Sequence, residues 1–211
     1  DQPAACKNVI NDITEEMDRD TGDYNRFWAE RDYTKDAKKV EASVFVVHGL
    51  NDWNVKTKQF AEWWTALEKN NVPAKLWLHQ GGHSNPYNFR KEEWLVTLNK
   101  WFDHWLYEID NDVMEEPKVD IQREDKSWST EEVWPAADNR KTRLYLGVKK
   151  DNDSELSLSP STKKHKMRQS FTDNALIRAE TLAAEESPHR LVYQTKPLTK
   201  KVRLSGTPEV S

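Results

Sequence analysis

The chain has 211 residues, 32% of them charged, and a formal net charge of -4 at neutral pH leaves no large excess of Lys and Arg for a nucleic-acid footprint. Ten Trp, six Tyr and six Phe supply apolar surfaces that a disordered chain lacks, although the mean hydropathy is -0.96 and Leu, Ile, Val and Phe make up only about a fifth of the residues. No apolar run approaches the roughly 20 residues of a membrane-spanning helix, the opening residues are too acidic and polar for a secretory signal, and the lone Cys6 can build neither an intrachain disulfide nor a cysteine metal site, so a cytoplasmic protein is expected.

Val9, Ile10, Ile13 and Met17 recur at helical spacing between Lys7 and Asp20, the stripe of an amphipathic helix that needs a partner surface. Thr21 and Gly22 break that pattern, and Tyr24, Phe27 and Trp28 predict a second, shorter helix before Asp32. Val44 to Val47 is apolar without alternation, as in a strand buried on both faces of a parallel sheet. Phe60, Trp63, Trp64 and Leu67 then mark one face of a helix across Lys56 to Asn70, with Asn70 and Asn71 as terminators and Pro73 in the turn. Ala74 to His79 predicts a second strand, ended by the loop Gln80-Gly81-Gly82. A long helix follows between Phe89 and Tyr107, where Trp94, Leu95, Leu98, Trp101, Phe102, Trp105 and Leu106 repeat at helical spacing. Strand, helix, strand, helix indicates an α/β sheet with crossover connections.

Beyond about Asp112 the pattern changes to short β-type stretches at Pro117 to Gln122, Arg143 to Val148, Leu156 to Leu158, Leu191 to Thr195 and Lys201 to Leu204. With no long helix among them, a second domain built as a β-sandwich or jelly roll is expected, with the boundary between residues 108 and 115. The Lys-rich run from Ser159 to Arg168 reads as a solvated loop. The chain reads as opening in mid-fold and stopping at Ser211 inside a strand-like pattern, so it is expected to be a piece of a longer protein.

Two loops follow the two buried strands, His48-Gly49-Leu50-Asn51-Asp52-Trp53-Asn54-Val55 and Gln80-Gly81-Gly82-His83-Ser84-Asn85-Pro86. If the strands are parallel neighbours, both loops leave the same C-terminal edge, where open α/β sheets bind ligands, and Asp52 can meet His83. A carboxylate on an imidazole fixes its tautomer and stabilises the imidazolium formed in proton transfer, which is two-thirds of a nucleophilic triad. The α/β-hydrolase chain order is Ser, then acid, then His, with the serine on an upstream G-x-S-x-G elbow, and no such elbow stands in these residues. An Asp in a post-strand loop is also a common turn former, and a His after two glycines has no chemistry by itself. His48 reads as a hydrogen-bonded wall residue. A two-His metal site with His79 lacks a completing carboxylate cluster, so no metal is expected. The Trp63-Trp64 and Trp101-Trp105 pairs fit core packing better than a ligand platform.

The runs Thr21-Gly22-Asp23-Tyr24-Asn25 with Phe27-Trp28, Val46-Val47-His48-Gly49-Leu50-Asn51-Asp52-Trp53-Asn54-Val55, and Gly82-His83 closely resemble the Xaa-Pro dipeptidyl-peptidases of lactic acid bacteria. Residues 190 to 206 resemble the start of the C-terminal jelly roll that this family shares with cocaine-esterase-type acyl hydrolases. The resemblance implies the C-terminal part of an α/β-hydrolase fold: the end of a helical insertion over 1–35, hydrolase core over 36–110, and an incomplete β-sandwich over 111–211. It implies Asp52 as triad acid, His83 as triad base and Asn54 facing the substrate pocket, with the serine and oxyanion donors elsewhere. It further implies a cytoplasmic homodimer that takes proline-containing peptides and uses no cofactor. Two alternatives stay open: an ester- or amide-cleaving acyl hydrolase of the same architecture, and a non-catalytic interaction module.

Overall fold

The structure is a computed structural model and describes residues 2–18, 20–148, 154–160 and 168–210; most of the Lys-rich loop lies outside them. The chain divides into two compact units, one of residues 1–46 and 58–76 and the other of residues 47–57 and 77–211. The division passes through the first two strands, so each strand begins in one unit and ends in the other.

In the first unit, α1 (Gln2–Glu16) is followed by the single turn α2 (Arg26–Ala29), whose N-cap Asn25 accepts a hydrogen bond from the Trp28 N–H. A 3-10 helix at Thr34–Lys39, which the sequence pattern did not indicate, leads into β1 (Val44–Gly49). Helix α3 (Thr57–Lys69) buries Phe60, Ala61, Trp64 and Leu67, with Trp64 and Leu67 fully enclosed. It stops where expected: Asn71 takes a left-handed backbone conformation (φ 55°), a conformation asparagine tolerates better than most residues. In contrast, Val9, Ile10 and Ile13 of α1 stay 57, 55 and 40% exposed among the described residues, while Met17 of the same stripe is half-buried.

Strand β2 (Ala74–His79) has the predicted bounds and is buried at every residue. The bonds Val44 N–H to Pro73 O and Leu50 N–H to His79 O keep the same offset at the two ends of the β1–β2 pair, which only parallel strands do. In the second unit, α4 (Lys91–Tyr107) buries Trp94 and Trp101 and closes on Glu108 in a left-handed conformation. Leu95, Phe102 and Leu106 lie on its other side, 43, 47 and 68% exposed, so only one face of the long apolar pattern is buried.

Strands β3 (Val119–Gln122) and β4 (Trp128–Glu131) form an antiparallel hairpin with Val119 opposite Glu131 and Gln122 opposite Trp128. They lie beyond residue 110 yet extend the sheet of β1 and β2, in the order β1-β2-β3-β4. Trp77 of β2 packs against Trp94 and Trp128 at 5.0 and 5.5 Å between ring centroids. Arg90, at the start of α4, donates to Asp120 of β3 at 2.9 Å and stands 5.0 Å over the Trp128 ring.

Strands β5 (Tyr145–Val148) and β6 (Ser154–Ser157) make a separate antiparallel pair. The expected strand at Leu191 to Thr195 is reduced to one parallel bridge, Glu155 to Gln194, and Lys201 to Leu204 forms no strand. Alternating β-branched and apolar residues favour extended backbone, but a strand exists only where a neighbour completes its ladder. The last helix, α5 (Ala179–Ala184), buries no side chain.

Candidate active site

Both candidate residues belong to the second unit. Asp52 follows β1 on a turn it builds itself: its Oδ1 accepts the N–H groups of Asn54 and Val55, each at 2.9 Å. Its Oδ2 lies 2.8 Å from His83 Nδ1. An ionised carboxylate only accepts hydrogen bonds, so Nδ1 carries a proton, and in the neutral ring Nε2 presents its lone pair. The Asp52 side chain is 5% exposed and that of His83 66%, so the pair has a buried acid and an imidazole open to solvent. Burial by itself would raise the Asp52 carboxyl. The hydrogen bond from His83 and the N–H groups of Val55 and Asn54 outweigh it and hold the group below its ordinary value.

Close approach of the two loops demands glycine. A Cβ on Gly49 would stand 2.2 Å from the Gly82 carbonyl oxygen and 2.5 Å from that of Gly81. A Cβ on Gly81 would run into the Phe89 ring at 2.2 Å. The Asn51 N–H donates to Gly81 O at 3.1 Å, tying one loop to the other.

Asp52 and His83 line a cleft together with His48, Val55, Ser84 and Asn85. His48 is partly buried on its wall, and burial, aided by His83, pushes its imidazole down against the opposing pull of Asp52 and the Val55 backbone. His79 is 1% exposed, stacks on Phe89 at 4.6 Å, and its Nδ1 accepts the Gly81 N–H at 3.1 Å. Among the described residues no group of three His, Cys, Asp or Glu is arranged to hold a metal, and no helix is long and apolar enough to cross a membrane. Asn54 gives its backbone N–H to Asp52, while its own side chain is outside the lining of the cleft.

Sequence reasoning did not single out Gln80 and Gln122. Gln80 N–H donates to Gln122 Oε1 at 2.9 Å, Gln80 Nε2 donates to Gln122 O at 3.1 Å, and Asn51 Nδ2 donates to Gln80 O at 2.9 Å. The signal was faint: Gln122 ends the alternating strand Val-Asp-Ile-Gln and Gln80 follows the end of β2, and a polar side chain there must be satisfied only if it is buried.

A family model described as X-Pro dipeptidyl-peptidase (S15 family) matches residues 1–85, and one described as X-Pro dipeptidyl-peptidase C-terminal non-catalytic domain matches residues 111–211. A Bacillus cereus protein provisionally named an Xaa-Pro dipeptidyl-peptidase is 51% identical over 216 residues, which take in 100% of this chain and 36% of that protein. The Xaa-Pro dipeptidyl-peptidase of Ligilactobacillus salivarius is 32% identical over 212 residues, 95% of this chain and 26% of the relative. The chain thus spans about a third or less of the length of these curated relatives. Among solved structures, a CocE/NonD family hydrolase from Staphylococcus aureus matches 70% of the chain and 25% of its own length, with TM-score 0.50 and 16% identity, a likeness of fold. The two family models between them take in most of the chain, its relatives align along nearly all of it, and on these grounds the chain belongs to the X-Pro dipeptidyl-peptidase family.

Proposed function

We propose that the chain is the acid- and base-bearing part of a serine aminopeptidase that removes Xaa-Pro dipeptides from free peptide N-termini. The observation that carries this reading is the 2.8 Å contact between Asp52 Oδ2 and His83 Nδ1, with the imidazole exposed in a cleft where two strand-end loops converge. No G-x-S-x-G elbow stands in these 211 residues, and in this reading another part of the protein supplies the nucleophilic serine and the oxyanion donors. With Nδ1–H held by Asp52, His83 Nε2 takes the serine proton as the hydroxyl attacks proline's own carbonyl carbon and returns it to the leaving amine as the C–N bond breaks; water, activated by the same base, then hydrolyses the acyl-enzyme and frees the dipeptide. Asp52 stays ionised and stabilises the imidazolium formed between these two transfers. By family likeness Asn54 borders a part of the substrate pocket beyond the cleft formed by these residues, whose lining its side chain does not join.

The hydrolase core extends to about residue 110 and the C-terminal β-sandwich follows it, a division supported by the second family match beginning at residue 111. Strands β3 and β4 are then a hairpin that the C-terminal region lends to the core sheet. By family likeness the enzyme is a cytoplasmic homodimer that needs no metal or cofactor; the net charge of -4 argues against nucleic acid as a partner, and the short apolar runs argue against a membrane.

The test is hydrolysis by the full-length protein of a glycyl-prolyl anilide, its N-acetylated form and a short-chain phenyl ester. Cleavage of the free anilide with rejection of the blocked one is expected. Turnover of the ester alone would identify an acyl hydrolase, and binding without turnover of any of the three would identify an interaction module.

A further inference from the structure

Gln122 lies in the region whose family model is described as non-catalytic, yet its side chain is spent on the loop that carries His83. It is the last residue of β3 and 6% exposed. Its Oε1 accepts the Gln80 N–H at 2.9 Å, its backbone oxygen accepts Gln80 Nε2 at 3.1 Å, and its Nε2 donates to Lys126 O at 3.4 Å. Gln80 passes the constraint on, because Asn51 Nδ2 donates both to the Gln80 backbone oxygen at 2.9 Å and to Gln80 Oε1 at 3.2 Å. The Asn51 N–H ends on Gly81 O. Both polar groups of the Gln80 peptide and both of Gly81 are therefore fixed, in the turn just before His83, and Asn51 is the residue next to Asp52.

We propose that Gln122 is a positioning residue for the acid–base pair: an amide relay from Gln122 through Gln80 to Asn51 sets the separation of the Asp52 and His83 loops. The proposal rests on the catalytic reading above. Glutamine suits the place because one amide accepts from Gln80 and donates back into its own hairpin. A leucine of similar volume would leave the Gln80 N–H without its acceptor, whereas glutamate would keep that acceptor. Displacement of a reacting group by about 1 Å lowers turnover by up to about 100-fold without touching the substrate.

The experiment measures kcat, KM and Tm of the full-length enzyme on a glycyl-prolyl anilide for Gln122→Leu, Gln122→Glu, Asn51→Ala and the Leu/Ala double variant, with His83→Ala as reference. Expected are a fall in kcat of about 10- to 100-fold for Gln122→Leu with KM within about twofold, recovery to within about threefold in Gln122→Glu, and a double variant no worse than the poorer single one. Asn51→Ala attacks the relay from its exposed end, so the proposal remains testable if Gln122→Leu fails to fold. If His83→Ala is inactive while Gln122→Leu or Asn51→Ala turns over like the wild type below its Tm, Gln122 plays no positioning role. Losses that multiply in the double variant would likewise overturn the relay. Normal turnover by His83→Ala would instead refute the catalytic reading on which the relay depends.

Discussion

Protons report most directly on the side chains around the cleft. Burial, with the nearby His48 charge, pushes the His79 imidazole below its ordinary value of 6.5, outweighing the Ser84 backbone and Asp52. The unfolded chain then binds a proton that the folded one resists, so this contribution to stability is complete above about pH 6.5 and is lost as pH falls through the lowered folded value. Asp52, also lowered, adds a second window: its contribution is complete above its ordinary value of 3.8 and is lost as pH falls through the depressed one. His79→Asn keeps an acceptor for the Gly81 N–H and removes the titrating ring. Urea unfolding of this variant between pH 7 and 5 is expected to show a shallower loss of stability than wild type, and equal slopes would contradict the assignment. Gly49→Ala is a steric counterpart, since the added methyl meets two carbonyl oxygens closer than 2.6 Å. It is expected to push the loops apart and lower turnover by at least about 10-fold, with the change visible in the chemical shifts of His83.

At the scale of elements, burial sorts the apolar residues that periodicity alone could not. Trp77 is 1% exposed between Trp94 and Trp128, whereas Leu106, on the same apolar helical pattern as Trp94, is 68% exposed. Trp77→Ala is expected to cost about 3 to 5 kcal/mol in chemical denaturation, and Leu106→Ala less than about 0.5 kcal/mol; equal costs would show that the sheet core is misassigned. The α/β elements were legible because their signals are local: an unbroken Val-Phe-Val-Val run, a helical stripe ended by Asn71, and a strand ended by Gln80-Gly81-Gly82. From them followed the parallel pair and the convergence of Asp52 with His83. The hairpin at Trp128–Glu131 was not legible, since Trp-Ser-Thr-Glu gains its strand character from pairing with β3. The Gln122 to Gln80 contact spans 42 positions in sequence, and nothing local announces such a bond.

At the scale of the molecule, two apolar surfaces stay exposed among the described residues: Val9, Ile10 and Ile13 on α1, and Leu95, Phe102 and Leu106 on α4. Patches of this kind associate in water unless something covers them. The 211-residue chain by itself is expected to self-associate with rising concentration in sedimentation experiments. Replacing Leu95, Phe102 and Leu106 by Gln should reduce that tendency, and a chain that stays monomeric at high concentration would show that these faces are inert. The same isolated chain is expected to leave a glycyl-prolyl anilide intact, because an imidazole and a carboxylate without a nucleophile supply no acyl-enzyme. Measurable turnover by the purified chain would place the nucleophile among these residues after all.

The most direct measurement is kcat of the full-length protein carrying His83→Ala on a glycyl-prolyl anilide, with its Tm recorded alongside. A drop of about three orders of magnitude or more with an unchanged Tm is the result predicted for the base of a triad. Turnover within a few-fold of wild type would contradict it, leaving the Asp52–His83 contact as a structural pair.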